Sequence, residues 1–175
     1  NVEEQNVIEN VVVEQPENLP TLSNKGEIAK TRSVYTDVNF KTVTVPAGYA
    51  IIADSPSIND GMVISDVAND DLDNSKEGNQ FVWIPVGSID SNGTLDGEHF
   101  SEKFGRRNYM NNEFSDDEFN EALNDELLEQ LESVKKYGGF YISRYNISKS
   151  SEGKPQLVKG VMPWVNINFD DAKKV

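Results

Sequence analysis

Hydrophobic and polar positions divide the chain into stretches of different texture. Up to about residue 35, Glu, Gln and Asn dominate, and Pro16 and Pro20 act as breakers. One apolar island interrupts this stretch: Val7, Ile8, Val11, Val12 and Val13. Its β-branched content predicts a strand over 7–13. From Val34 the pattern changes. Val38 to Val45 alternates as a half-buried strand does. A Pro46-Ala47-Gly48 turn leads to a second strand at Tyr49–Ala53, and Met62–Ser65 reads as a short third. Residues 66–79 form an acidic loop. Gln80–Val86 is a strong strand closed by Pro85, and a Gly-punctuated loop fills 87–114.

The clearest helix follows. Ser115-Asp116-Asp117-Glu118 is a capping box, in which the Ser115 hydroxyl and the Glu118 carboxylate each satisfy an amide of the first turn. Phe119, Ala122, Leu123, Leu127, Leu131 and Val134 recur at helical spacing, which predicts a one-sided helix over 116–136. Lys135 and Lys136 suit the negative end of its dipole, and Gly138 or Gly139 supplies the left-handed residue that ends it. The chain then enters Phe140–Ile147, an aromatic and β-branched strand with Phe140 and Ile142 on one face and Tyr141, Ser143 and Tyr145 on the other. Gln156–Val158 is a short strand, and Asn168 is placed to cap a second helix. Strands with separated helices indicate an α+β fold, with residues 1–35 as an extension and 36–175 as the domain.

Composition narrows the function classes. A chain of 175 residues with a net charge of −14 repels nucleic acid and anionic lipid, so neither is expected as a partner. With no cysteine, disulfides, thiolate metal sites and cysteine nucleophiles are excluded within it. No apolar run reaches the roughly 20 residues of a membrane span, so no membrane contact is expected. The chain begins at Asn1, and a removed leading segment is expected.

Candidate chemistry is sparse. Asp66, Asp70, Asp71, Asp73 and Glu77 share one loop, but counting from Asp71 puts Lys76 where an EF-hand needs glycine. A solvated acidic loop is the better reading. Asn92 to Gly97 imitates a calcium loop until Lys103 falls where a bidentate acid is required. His99 is the sole histidine, so a transition-metal centre lacks a second nitrogen ligand. Gln15-Pro16-Glu17-Asn18 echoes a sugar-selecting tripeptide but lies in the extension. Trp83, Trp164, Tyr141 and Tyr145 could stack on a sugar, although core packing is the simpler role, above all for Trp83. No catalytic residue, cofactor or metal ligand is assigned.

Five blocks in order, VPAGY at 45–49, DGMVISD at 60–66, GNQFVWIPV at 78–86, YGGFYISRYNIS at 137–148 and GVMPWVNINFDDAKKV at 160–175, carry a family resemblance. Over residues 43–175 the chain resembles bacterial surface proteins with a sulfatase-modifying-factor domain. That is the formylglycine-generating-enzyme family, a variant of the C-type lectin fold. The resemblance implies an exported, Firmicutes-type protein at the cell surface, whose domain follows a pilin-like anchor. It departs from the family in lacking the cysteines those enzymes use, and in ending near the start of the family's second helix. A domain incomplete at its C-terminus is therefore expected. The expected function is a non-catalytic module that binds a protein or glycan or builds a surface structure. The alternatives are an enzyme whose catalytic half lies outside this chain, and a structural pilus or filament subunit. Residues 7–13 are expected to pair with their own domain or with a neighbouring copy.

Overall fold

Asp37 organises the first turn of the computed structural model, which describes residues 18–73, 78–89, 95–96, 121–172 and 174. One Asp37 carboxylate oxygen accepts from the amides of Asn39 and Lys41 at 2.9 and 3.0 Å, and the other from the amide of Ile58 at 3.1 Å. The turn joins β1 (Ser33–Thr36) to β2 (Thr42–Val45), an antiparallel pair with Ser33 opposite Val45. The strand expected to begin at Val38 thus begins only at Thr42. Val38 and Phe40 are 89% and 88% exposed, and Phe40 has a φ of 60°. A carboxylate that binds nearby amides offers the backbone an alternative to the ladder. Two apolar residues at strand spacing therefore sit on a turn.

Packing also starts earlier in the chain than the expected boundary at 36. Thr21 forms a parallel bridge with Val34, Leu22 N donates to Val34 O at 2.8 Å, and Val34 N donates to Pro20 O at 2.9 Å. Leu22 and Ala29 are buried in the main core with Val43, Val45, Ile51, Ile58, Met62, Ile64 and Trp83. The island at 7–13 and the capping box at 115–118 lie outside the described residues.

Three strands follow in meander order: β3 (Ala50–Ile51), β4 (Val63–Ser65) and β5 (Gln80–Pro85). Between β3 and β4 the Ser55 hydroxyl accepts from Val63 N at 2.6 Å, pinning the connection. A two-stranded ribbon comes next, β6 (Ser88–Ile89) with β7 (Leu95–Asp96). Helix α1 (Glu121–Tyr137) then delivers the chain to β8 (Gly139–Ser143). The main sheet is antiparallel, in the order β3-β4-β5-β8, with Phe81 opposite Ser143 and Pro85 opposite Gly139. A last ribbon pairs β9 (Ser148–Lys149) with β10 (Pro155–Gln156), and a short helix α2 spans Phe169–Ala172. The fold is mixed α and β, built of several small antiparallel sheets and few helices.

Both helix ends anticipated from sequence can be followed where they are described. Gly138 adopts the left-handed conformation at φ 75° and its amide donates to Val134 O at 2.7 Å, closing the last turn of α1. Val134 is buried and Leu131 half-buried, in keeping with a one-sided helix. The side chains of Phe119, Leu123 and Leu127 lie outside the described set. At α2 the Asn168 side chain accepts from Asp171 N at 2.8 Å, the N-cap bond its position predicts.

Candidate functional site

The head of β8 is where helix, main sheet and first hairpin meet. The strand alternates, with Gly139 buried and Tyr141 and Ser143 half-buried toward the core, while Phe140 and Ile142 point outward at 40% and 51% exposure. Trp83 reaches across from β5, 3% exposed, with its ring 4.9 Å from that of Tyr141 and tilted by 59°. The Tyr141 hydroxyl donates to Thr44 O at 3.0 Å, and burial pushes its phenol well above the ordinary tyrosine range. Arg32 donates to the Tyr137 hydroxyl at 3.0 Å.

Between these groups lies a cavity of about 290 Å³, walled by Arg32, Thr44, Pro46, Trp83, Tyr137, Gly139, Phe140 and Tyr141, with Ser133 at its helix side. Its lining is largely apolar, and the hydroxyls of Tyr137 and Tyr141 are already engaged. It suits an apolar or planar group. Arg32 and Thr44 were not anticipated, because their meeting with Tyr137 and Tyr141 spans 105 and 97 positions.

A second cavity, about 470 Å³, opens at the far end of β8 between Ser143, Asn146, Ile147, Pro163, Trp164, Ile167 and Ala172. The Trp164 amide donates to Ile147 O at 2.8 Å, and Ser148 bridges to Pro163, which holds the C-terminal segment against the strand. Trp164 is half-buried with Lys149 Nζ 4.8 Å from its ring centre. Around it Ile147, Val161 and Val165 are exposed, and Met162 and Phe169 reach 78% and 74%.

The acidic loop has a structural occupation. Asp66 accepts from the Asn79 amide and side chain at 2.7 and 2.6 Å. Asp70 accepts from the Ser65 hydroxyl at 2.6 Å and from Gln80 Nε2 at 3.1 Å, and Asp71 accepts from the Asp73 amide at 2.7 Å. Gln80 is fully buried; it also donates to Asp71 O at 3.0 Å and accepts from Arg144 at 2.6 Å. Arg144 in turn donates to Leu72 O at 2.7 Å. These bonds tie the loop to β5 and to the end of β8. Among the described residues no three acidic or histidine side chains are grouped to hold a metal ion. Glu77, His99, Gln15 to Glu17 and Asn92 to Thr94 lie outside the described residues, while Leu95 and Asp96 form β7.

Tyr145 stands apart from the other rings. Its hydroxyl is buried with no hydrogen-bond partner among the described residues, and the Arg144 guanidinium lies 5.4 Å from its ring centre. No helix among the described residues is long and apolar enough to cross a membrane. Searches with the whole chain against protein-family models, curated proteins and solved structures return no match.

Proposed function

We propose that the chain is a non-catalytic binding and assembly module displayed at a bacterial cell surface, with the C-type-lectin-like fold of formylglycine-generating type, and that its partner is a polypeptide. The observation that carries this reading is where apolar surface is left in water. Among the described residues, every strongly exposed large apolar side chain except Val38 and Phe40 falls between 140 and 169. Exposed apolar surface concentrated in this way marks interaction sites. The exposed groups are mainly aliphatic, and a hydroxyl-rich sugar gains little from Val, Ile or Met. Of the two tryptophans, Trp83 is in the core and Lys149 lies over the ring of Trp164, so neither offers a bare face to a sugar. The enzymes that the chain resembles work through cysteines, and this chain has none.

A peptide-display library panned on the immobilised chain tests the proposal, with the Met162→Ser, Val165→Ser double variant as control. Both positions are exposed, so the fold should survive the change. The expected result is enrichment of apolar peptides that the variant no longer retains. Absence of any enrichment, alongside saturable binding on a glycan array, would overturn the reading.

A further inference from the structure

We infer that the chain assembles head to tail, with Phe40 of one copy inserted into the cavity beside Trp164 of the next. The knob comes first. Phe40 stands at the tip of the β1–β2 hairpin, exposed together with Val38. Its φ of 60° is a conformation that glycine or asparagine adopts far more readily than a residue with a bulky ring. The turn is fixed all the same. Asp37 N donates to Lys41 O at 2.9 Å, and Phe40 N donates to Asp37 O at 3.1 Å. The Asp37 carboxylate adds its bonds to the amides of Asn39, Lys41 and Ile58. An unfavourable backbone conformation that its surroundings over-determine is a pointer to function. An aromatic anchor held rigidly in water also has little freedom left to lose on binding.

The hole lies past β8. Its volume of about 470 Å³ exceeds the roughly 150 Å³ that suffices for a benzene ring. Ile147, Pro163 and Ile167 line it beside Trp164, so a phenyl ring meets mainly apolar atoms there. One copy cannot fill its own hole. Asp37 ties the tip to Ile58, on the connection between β3 and β4, whereas the cavity opens beyond β8. β3 and β8 are the two ends of the main sheet. A contact between two different surfaces of identical chains propagates instead of closing on itself as a two-fold dimer does.

Charge selects a second copy as the occupant. Residues 37–60 carry three aspartates and one lysine. Residues 144–175 carry six lysines and arginines against three acids, although the whole chain has a net charge of −14. The knob end is therefore acidic and the hole end basic, which favours knob against hole over knob against knob. One contact also accounts for both exposed apolar regions, the tip and the 140–169 surface. Because the hole belongs to that surface, the assembly rests on the polypeptide reading given above, and it names the polypeptide.

Sedimentation velocity of the full chain over a range of concentrations tests the assembly, beside Phe40→Asn and Ile147→Ser. Asparagine suits the backbone at position 40, and Ile147 is 51% exposed, so both variants should fold. The expected result for the unaltered chain is a mass that grows with concentration past the dimer. Each variant alone should associate at least tenfold more weakly. An equimolar mixture of the two should form a one-to-one dimer and nothing larger, because the intact hole of Phe40→Asn receives the intact knob of Ile147→Ser. That dimer would also show that both variants are folded. A mixture no heavier than its parts would overturn the inference, as would growth of the unaltered chain that stops at a dimer. An unaltered chain that stays monomeric while still enriching apolar peptides would overturn the head-to-tail assembly alone and leave the polypeptide reading standing.

Discussion

Gly139 lies against the indole of Trp83 so closely that a β-carbon built on it would stand 2.5 Å from the ring, and closer still to the Ile84 carbonyl. Its neighbour Gly138 has open space around it but a φ of 75°. The paired glycines are thus required for different reasons, one by contact and one by backbone conformation. Gly139→Ala should cost about 1–3 kcal/mol, the range for overfilling a packed site. Gly138→Asn should cost well under 1 kcal/mol, because asparagine tolerates the left-handed region. Denaturant unfolding of the two variants checks the contrast, and equal losses would contradict it.

Tyr141 and Tyr145 invite opposite results from the same substitution. Tyr145→Phe removes a buried hydroxyl without a partner among the described residues, so stability should hold or rise. Tyr141→Phe removes the bond to Thr44 O and leaves that carbonyl short of a donor, which should cost about 1–2 kcal/mol. Thermal melts of both variants at neutral pH provide the measurement.

Alkaline pH should act through Tyr141. Burial raises its pKa above the ordinary 10.0, so the unfolded chain releases the proton at a pH where the native state still holds it. The native state then binds more protons, and stability falls with rising pH. The contribution is intact below pH 10 and is lost above it. Tyr35 and Tyr49 shift the same way, by burial first and then by Asp37 and Asp66 respectively. Unfolding curves between pH 8 and 12 should show this decline, and Tyr141→Phe should flatten it.

Gln80 is the buried joint between the acidic loop and β8. Gln80→Leu keeps much of the volume but deprives Asp70 of a donor and Arg144 of an acceptor, so a loss of about 2–4 kcal/mol is expected. Protease cleavage within the acidic loop should accelerate in the variant before global unfolding. An unchanged cleavage rate would show that the loop is held by other bonds.

Chelator should leave the melting temperature where it is. Asp66 and Asp70 are occupied by Asn79, Ser65 and Gln80, and a native-state ligand would raise stability by mass action. A fall in melting temperature on adding chelator, reversed by calcium, would contradict this assignment.

Local signals were legible in the sequence where they act locally. Gly138 at the helix end and Asn168 at the start of α2 both perform the roles their neighbours predict, because caps involve groups only three or four residues apart. The strand at Gln80–Pro85 and the alternation of Phe140 with Tyr141 were likewise readable. Val38 and Phe40 misled because alternation alone does not register a side-chain carboxylate bound to the amides beside it. The aromatic cavity was not readable as a site. Arg32 stood in a polar stretch with no local mark, and only tertiary packing brings it to Tyr137. The outward direction of Phe140 and Ile142 was hidden too, since periodicity separates two faces without saying which one meets water.

The bonds that secure the head of β8 also govern when it can form. Arg32 and Tyr137 are 105 positions apart, and Thr44 and Tyr141 are 97 apart. Each contact closes a loop through most of the chain, whose entropy must be lost before the contact returns anything. The β3–β4–β5 meander closes far smaller loops, of 11 and 14 residues, and can assemble while the rest of the chain is still emerging. The closing step waits for Tyr141 itself. Such long-range closure favours slow folding over the microsecond times of helical bundles. The order of events is therefore written into the topology: meander first, β8 and its aromatic cavity last.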